Sequence, residues 1–427
     1  VNILKTYTFQ YGKTTVEAAL DEAQVLGELR GHETPPIADL GAALYEAVER
    51  PIERAPLREY AKAGDRVALI VSDLSRFWMR QDLLIPHLLR YLGEECGVPD
   101  RDITIVVANG THPGGDERTL RTLVTDAVYD RVRVVNHDCL AEDLVYLGTT
   151  AHGTEVRVNR IAAKADKVIC LGACTHHVMA GFGGGRKSIL PGVSGLEAIR
   201  HNHSFCLDQT RDCSSPEIGA GVLKGNPLHE DMCEAAAMMK SLFMVTVVMN
   251  AEMEPAYLFA GHWLCSWEKS CEAADKIYRV PIREQADAVI ASCGGYPKDM
   301  SLYQGTKTID NVESALKPGG TLIVLMEAAE GGGPAEYFDW ITPLAAGTIG
   351  ADLRERFTVP GYIFFLNCEQ ARKYRILMLT SVPAETLAPM GIQAFGRMED
   401  LMAAAGLAGK SVYVVPNGST VIPYIKG

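Results

Sequence analysis

The sequence predicts an α/β protein of two domains, each a mostly parallel sheet flanked by helices. Three observations carry this expectation. Apolar β-branched runs recur and are followed by Gly, Asp or Asn; helix-like patterns fill the intervals; and the alternation restarts after a charged stretch, Glu268–Gln285. Continuous apolar runs of five to eight residues suit strands buried on both faces, and strand–helix alternation suits a parallel sheet.

In order, the first-domain strands are expected at Arg66–Asp73 (RVALIVSD), Ile103–Asn109 (ITIVVAN), Val132–Asn136, Lys167–Gly172 and Phe243–Met249. Helices are expected at Asp82–Leu92 and Ser194–His201, the second with a capping-box spacing from Ser194 to Glu197. Beyond the charged stretch, strands are expected at Ala288–Ser292, at Thr321–Met326 after a Gly-Pro turn, at Arg375–Thr380 and at Ser411–Pro416. The boundary is placed at 275, giving domains 1–275 and 276–427. The first 60 residues, with Pro35, Pro36 and Pro51, have no assignable fold.

Composition narrows the function. A net charge of −12 without a basic stripe argues against a nucleic-acid partner. No run of 18 uncharged apolar residues occurs, so no membrane span is expected. Eleven cysteines at scattered spacings, with no C-x-x-C, suggest reduced thiols and a cytoplasmic location.

Ligands of open α/β sheets bind beyond the carboxyl ends of the strands. Four such ends are rich in polar groups: Ser72, Asp73 and Arg76; Asn109, Thr111 and His112; Asn136, His137 and Asp138; Thr175, His176 and His177. Seven of the eleven histidines lie between 112 and 203, which points to acid–base chemistry, metal binding or both. His32, His87, His152, His229 and His262 are set aside as structural. His201 and His203, two apart on a helix, face different sides, so one of them is expected at the site.

The most distinctive segment is Gly181-Phe-Gly-Gly-Gly-Arg-Lys187-Ser-Ile-Leu-Pro191-Gly192. A phosphate loop of the G-x-x-x-x-G-K-[ST] kind needs Gly before the Lys, where this chain has Arg186. Gly183, Gly184 and Gly185 allow close backbone approach to an anion. A lysine there can serve as phosphate ligand, Schiff base or other covalent anchor. No H-E-x-x-H occurs, and His201-x-His203 lacks a third ligand at regular spacing, which disfavours a zinc hydrolase.

These residues together resemble the nickel-pincer-nucleotide lactate racemases and their 2-hydroxy-acid racemase and epimerase relatives. The resemblance rests on Ser72-Asp73-Leu-Ser-Arg76, on Asn109-Gly-Thr-His112, on His177 with the loop through Lys187 to Pro191-Gly192, and on Asn202-His203. In the second domain it rests on Gly294-Gly-Tyr-Pro and Tyr303-Gln304-Gly-Thr-Lys307. It implies that Lys187 carries the pyridinium-3,5-bisthiocarboxylic acid mononucleotide, that His203 ligates nickel, and that His112 and His177 are the acid–base pair. It further implies that Arg76 holds the substrate carboxylate, with Asp73 beside it, and that Gln304 and Lys307 reach the substrate from the second domain. The resemblance also implies an active site in the interdomain cleft, and proteins that make the cofactor as partners.

The sequence departs from the family where Phe77, Trp78, Met79 and Arg80 replace a Pro-initiated stretch, which reads as a reshaped pocket or as core packing. No tryptophan follows Trp340, so the family's substrate-contacting tryptophan has no counterpart and lactate itself is in question. The alternatives to a racemase or epimerase are a one-way 2-hydroxy-acid oxidoreductase with the same cofactor, and a non-catalytic carrier of it.

Overall fold

The computed structural model describes residues 3–426. The chain forms two compact units, one made of Glu33–Phe205 and Glu217–Ile277, the other of Val1–His32, Cys206–Pro216 and Tyr278–Gly427.

The first of these units is built on a six-stranded sheet. Its spatial order is Pro255–His262, Leu242–Met249, Lys167–Ala173, Val67–Ser72, Ile103–Ala108, Arg133–Asn136. All neighbours are parallel except the edge strand Pro255–His262. The central strands are mostly apolar, as strands covered on both faces are, and all eight residues of Leu242–Met249 are buried. Leu69, Val71, Ile105, Ile169 and Val245 meet Leu84, Leu88 and Leu92 of the helix Gln81–Glu94 in one core. Phe77 and Trp78 are partly buried and pack against that same core.

The other unit carries a second six-stranded, all-parallel sheet in the order Gln393–Phe395, Arg375–Leu379, Leu316–Leu325, Ala286–Ser292, Val412–Val415, Val25–Glu28. The α/β class with two mainly parallel sheets is therefore as expected. The first 32 residues, unassigned from sequence, supply its edge strand and a hairpin, Leu4–Tyr11 with Thr14–Asp21. Alternate residues of that hairpin, Tyr7, Phe9, Ala18 and Leu20, are buried in a core with Ile290, Ile323 and Leu377. The alternation is the period of a half-buried antiparallel strand.

One local expectation fails. The helix is Leu196–Ser204, starting at Gly195 with no side-chain cap. Ser194 is buried and its hydroxyl donates to Ile189 O at 2.7 Å, so it cannot close a capping box with Glu197. Among the described residues, no helix is long and apolar enough to cross a membrane.

Because Phe9 is 1 % exposed within the hairpin, Phe9→Ala should destabilise its unit by about 3–5 kcal/mol. Denaturant unfolding checks this; a loss below about 1 kcal/mol would mean the hairpin is not part of the core.

Candidate active site

In the first sheet the chain begins at Val67–Ser72, runs outward on one side to Ile103–Ala108, and later returns on the other side to Lys167–Ala173. The switch point lies between Val67–Ser72 and Lys167–Ala173, the position where such sheets bind ligands. Asp73, Arg76 and His112 follow the first two strands, and His176, His177 and the glycine–lysine loop follow the third.

His112 Nδ1 lies 2.7 Å from Asp73 Oδ2. A carboxylate only accepts, so Nδ1–H donates, and in the neutral form of the ring Nε2 is the lone-pair atom. Asp73 is largely buried, and burial raises its carboxyl. The His112 hydrogen bond and charge, the Arg76 charge and the Ser75 hydroxyl outweigh that and hold it below the usual range. Ser75 Oγ donates to Asp73 Oδ1 at 2.8 Å, and Arg76 Nη1 donates to Ser75 Oγ at 2.9 Å. The His112 side chain remains 36 % exposed, open to a reactant.

His177 is held in the opposite tautomer. Its Nδ1 accepts from the backbone N–H of Met179 and Ala180, at 3.2 and 3.3 Å, so the neutral ring carries its proton on Nε2. That Nε2 faces Lys187 Nζ at 3.0 Å. The adjacent His176 is 5 % exposed, and its Nε2 lies 2.7 Å from Asp275 Oδ1. Of the two neighbours, His177 is the one turned to Lys187.

His203 is 4 % exposed on the helix Leu196–Ser204. Its Nδ1–H donates to Ile199 O, one turn back, at 3.0 Å, which leaves Nε2 as a lone-pair donor. Burial first, and then Lys187, push its imidazolium down to about 3. His201 turns away and bonds Thr154 Oγ1 at 2.8 Å, as the two-residue spacing requires. Thr154 and Asn202 both donate to the buried Asp231, tying this helix to Pro227–Ala237.

The loop that carries Lys187 is wound around Arg186. This guanidinium is 0 % exposed and donates to Phe182 O at 2.7 Å, to Ala180 O, and to His229 Nδ1 at 3.1 Å. Its centre sits 4.0 Å from the Trp267 ring centroid, and Trp267 Nε1 donates to Gly183 O at 2.8 Å. Burial lowers Arg186 to about 10, so it stays charged at neutral pH. The glycines serve this packing. A Cβ on Gly184 (φ +68°) would lie 2.4 Å from Ala173 O, and one on Gly185 (φ +58°) 2.5 Å from the Trp267 ring.

Several polar residues at the strand ends are scaffold. Asn136 bonds Gly115 N and O, and buried His137 bonds Ser194 O at 2.9 Å. Arg186, Trp267 and His229 were not singled out by sequence as site-forming; a buried Arg with an aromatic partner has no spacing signature. In the other unit, Gln304 and Lys307 lie three residues apart on the helix Leu302–Val312, both partly buried. Trp340 is 4 % exposed and packed in that unit's core, within 2.3 Å of where a Cβ on Gly361 would be.

Comparison with known proteins gives a consistent result. The lactate racemase N-terminal domain family matches residues 11–214, and the lactate racemase C-terminal domain family matches residues 282–423. The lactate racemase of Thermoanaerobacterium thermosaccharolyticum is 30% identical over 333 residues, 77% of this chain and 76% of that protein. The lactate racemase of Lactiplantibacillus plantarum is 30% identical over 331 residues, again 77% and 76%. The solved lactate racemase apoprotein of T. thermosaccharolyticum superposes with a TM-score of 0.89 at 27% identity, covering 98% of this chain and all of that one. A Thermotoga maritima protein at 17% identity, TM-score 0.66, shares the fold.

Gly184→Ala should cost about 1–3 kcal/mol through backbone collision and a left-handed φ, read as a lowered unfolding midpoint. Wild-type stability in that variant would contradict the packing role. The Asp73–His112 pair stabilises the fold above the ordinary carboxylate value of about 4. That contribution fades as pH falls through the lowered folded-state value, and Asp73→Asn should remove this part of the acid dependence; an unchanged stability–pH curve would contradict it.

Proposed function

The chain belongs to the lactate racemase family, and from that premise we propose that it racemises or epimerises a 2-hydroxy acid using a nickel-pincer nucleotide tethered to Lys187. The observation that carries the reading is the pair of imidazoles at one switch point, His112 with a free Nε2 lone pair and His177 with a proton on Nε2.

The residues fit the cofactor. On the glycine loop, Lys187 Nζ lies 3.0 Å from His177 Nε2, and a lysine amine in its uncharged form is a nucleophile that can form a covalent link. His203 offers a buried, neutral Nε2 suited to nickel. Among the described residues, no three His, Cys, Asp or Glu groups are arranged to hold a metal. His203 would be the residue of this chain that holds the nickel, and the bound cofactor would supply further donors.

The C–H of a 2-hydroxy acid is not acidic, so inversion proceeds through the planar 2-keto acid. When bound, the cofactor supplies the reversible hydride acceptor for this oxidation. His112 Nε2 takes the hydroxyl proton of one enantiomer, while His177 Nε2–H protonates the alkoxide formed on the other face; the roles reverse in the other direction. Asp73 holds His112 in its tautomer and stabilises its charged form, as the carboxylate of a catalytic triad does. Arg76 commits Nη1 to Ser75 and has further N–H groups for the substrate carboxylate. Gln304 and Lys307 keep the substrate-contacting roles that the family implies, and proteins that build the cofactor are the implied partners.

The test is turnover of a panel of chiral 2-hydroxy acids by cofactor-loaded protein. His112→Ala and His177→Ala should each lose activity by about 100-fold or more, with Lys187 still modified. Each should impair oxidation of one enantiomer more than the other. Near-normal turnover in either variant contradicts the two-base mechanism. Release of keto acid without the opposite enantiomer identifies the one-way oxidoreductase, and loading without turnover of any substrate identifies a carrier.

A further inference from the structure

Two thiols near the Arg186 guanidinium have no part in the roles above. Cys174 follows the strand Lys167–Ala173, and Cys271 sits on the helix Cys265–Tyr278; both belong to the first unit. Their sulfurs lie 3.6 Å apart across 97 positions of sequence. Cys174 is 1 % exposed and Cys271 6 %, so a small reagent meets Cys271 first.

Three successive turns of this helix grip the segment that leads into the glycine–lysine loop. Trp267 Nε1 donates to Gly183 O at 2.8 Å, Cys271 Sγ meets Cys174 Sγ, and Asp275 Oδ1 lies 2.7 Å from His176 Nε2. The spacing of four residues puts all three on one face of the helix. The outer two contacts are full hydrogen bonds. The middle one joins two thiols, each a weak donor and a weak acceptor.

Packing alone asks only for small apolar groups at these two positions. The cation beside them argues for chemistry as well. Among the described residues Arg186 has no carboxylate partner, and its charge acts on both thiols. Burial first, and then the Cys174 thiol, push the Cys271 thiol well up; the Arg186 charge opposes them and favours the thiolate, which is the reactive form.

We infer that Cys174 and Cys271 form a redox clamp, in which oxidation by a peroxide joins them as a disulfide and fixes the helix to the segment carrying His176 and His177. With hydrogen peroxide, the Cys271 thiolate attacks one oxygen, the O–O bond breaks, and the departing hydroxide takes up a proton to leave as water. Cys271 is then a sulfenic acid. The Cys174 sulfur attacks that sulfur, the S–S bond forms and the S–O bond breaks, and the hydroxide leaves as water with the Cys174 proton. Two thiols have given up two electrons and two protons, and the peroxide is reduced to two waters. The sulfurs close from 3.6 Å to the bond length of about 2.0 Å. Exchange with a small dithiol reverses the reaction. The clamp stands on this strand and helix and does not depend on the cofactor.

Peroxide treatment of the native full chain tests it, with the remaining thiols alkylated after unfolding and the peptides mapped by mass spectrometry. A Cys174–Cys271 crosslink should appear and should vanish with dithiothreitol. In the crosslinked protein, backbone amides of residues 174–184 should exchange about tenfold more slowly. The unfolding temperature should rise by several degrees, because a long loop is closed. The strand Val412–Val415 of the other unit is the control for exchange and should not change. Cys174→Ser and Cys271→Ser should each abolish the crosslink and the slowed exchange. Cys174 and Cys271 still free to alkylate after peroxide would overturn the proposal, as would sulfinic acid on Cys271 without a crosslink. A crosslink that leaves exchange at 174–184 unchanged would overturn the clamp.

Discussion

The site depends on one buried charge. Among the described residues Arg186 has no carboxylate partner; its guanidinium is met by backbone carbonyls, the His229 ring nitrogen and the face of Trp267. Hydrogen bonds to a charged group inside a low-dielectric interior are strong, and leaving any of them unmade is expensive. The loop from Ala180 to Gly184 must therefore close around this cation. The next residue, Lys187, is then directed to His177, and Trp267 locks Gly183 from outside. The Gly-Gly-Gly run is the consequence: two of its three residues adopt left-handed φ and press against a strand carbonyl and an indole, where a side chain has no room.

A second principle organises the histidines. His112, His177 and His203 each spend Nδ1 on the scaffold and present Nε2. What differs is the scaffold atom. A carboxylate or a backbone carbonyl accepts, so His112 and His203 present a lone pair. Two backbone N–H groups donate, so His177 presents a proton. On the proposed reading this asymmetry is functional: the reaction needs one base and one acid at rest, and a metal needs a lone pair. The scaffold atom separates His112 and His203, which present a lone pair, from His177, which presents a proton.

Much of this was legible in the sequence. Apolar runs such as Val67–Ser72 and Lys167–Ala173 mark buried parallel strands, and the polar residues just after them mark the rim. The family resemblance carried the individual assignments of Lys187 and His203. Three features were not legible. The hairpin Leu4–Tyr11 with Thr14–Asp21 was obscured because its partner core lies almost 280 residues later in the chain, around Ile290. The tautomers depend on which backbone atoms lie opposite each ring, which spacing does not encode. The Arg186–Trp267 contact joins residues 81 positions apart without a periodic signal. Ser194 shows the opposite failure: its spacing suggests a cap, but a nearer carbonyl takes its hydroxyl.

The central claim is that this loop is a covalent anchor for a nickel cofactor. Intact mass and metal analysis test it most directly, on protein made in its natural source or in a host supplied with the cofactor-making enzymes. The account predicts a nucleotide-sized adduct mapped to Lys187 with about one nickel per chain, no adduct in Lys187→Ala, and adduct with diminished nickel in His203→Ala. An unmodified Lys187 and no nickel under those conditions would contradict it, and would leave the fold and the paired histidines without the chemistry proposed for them.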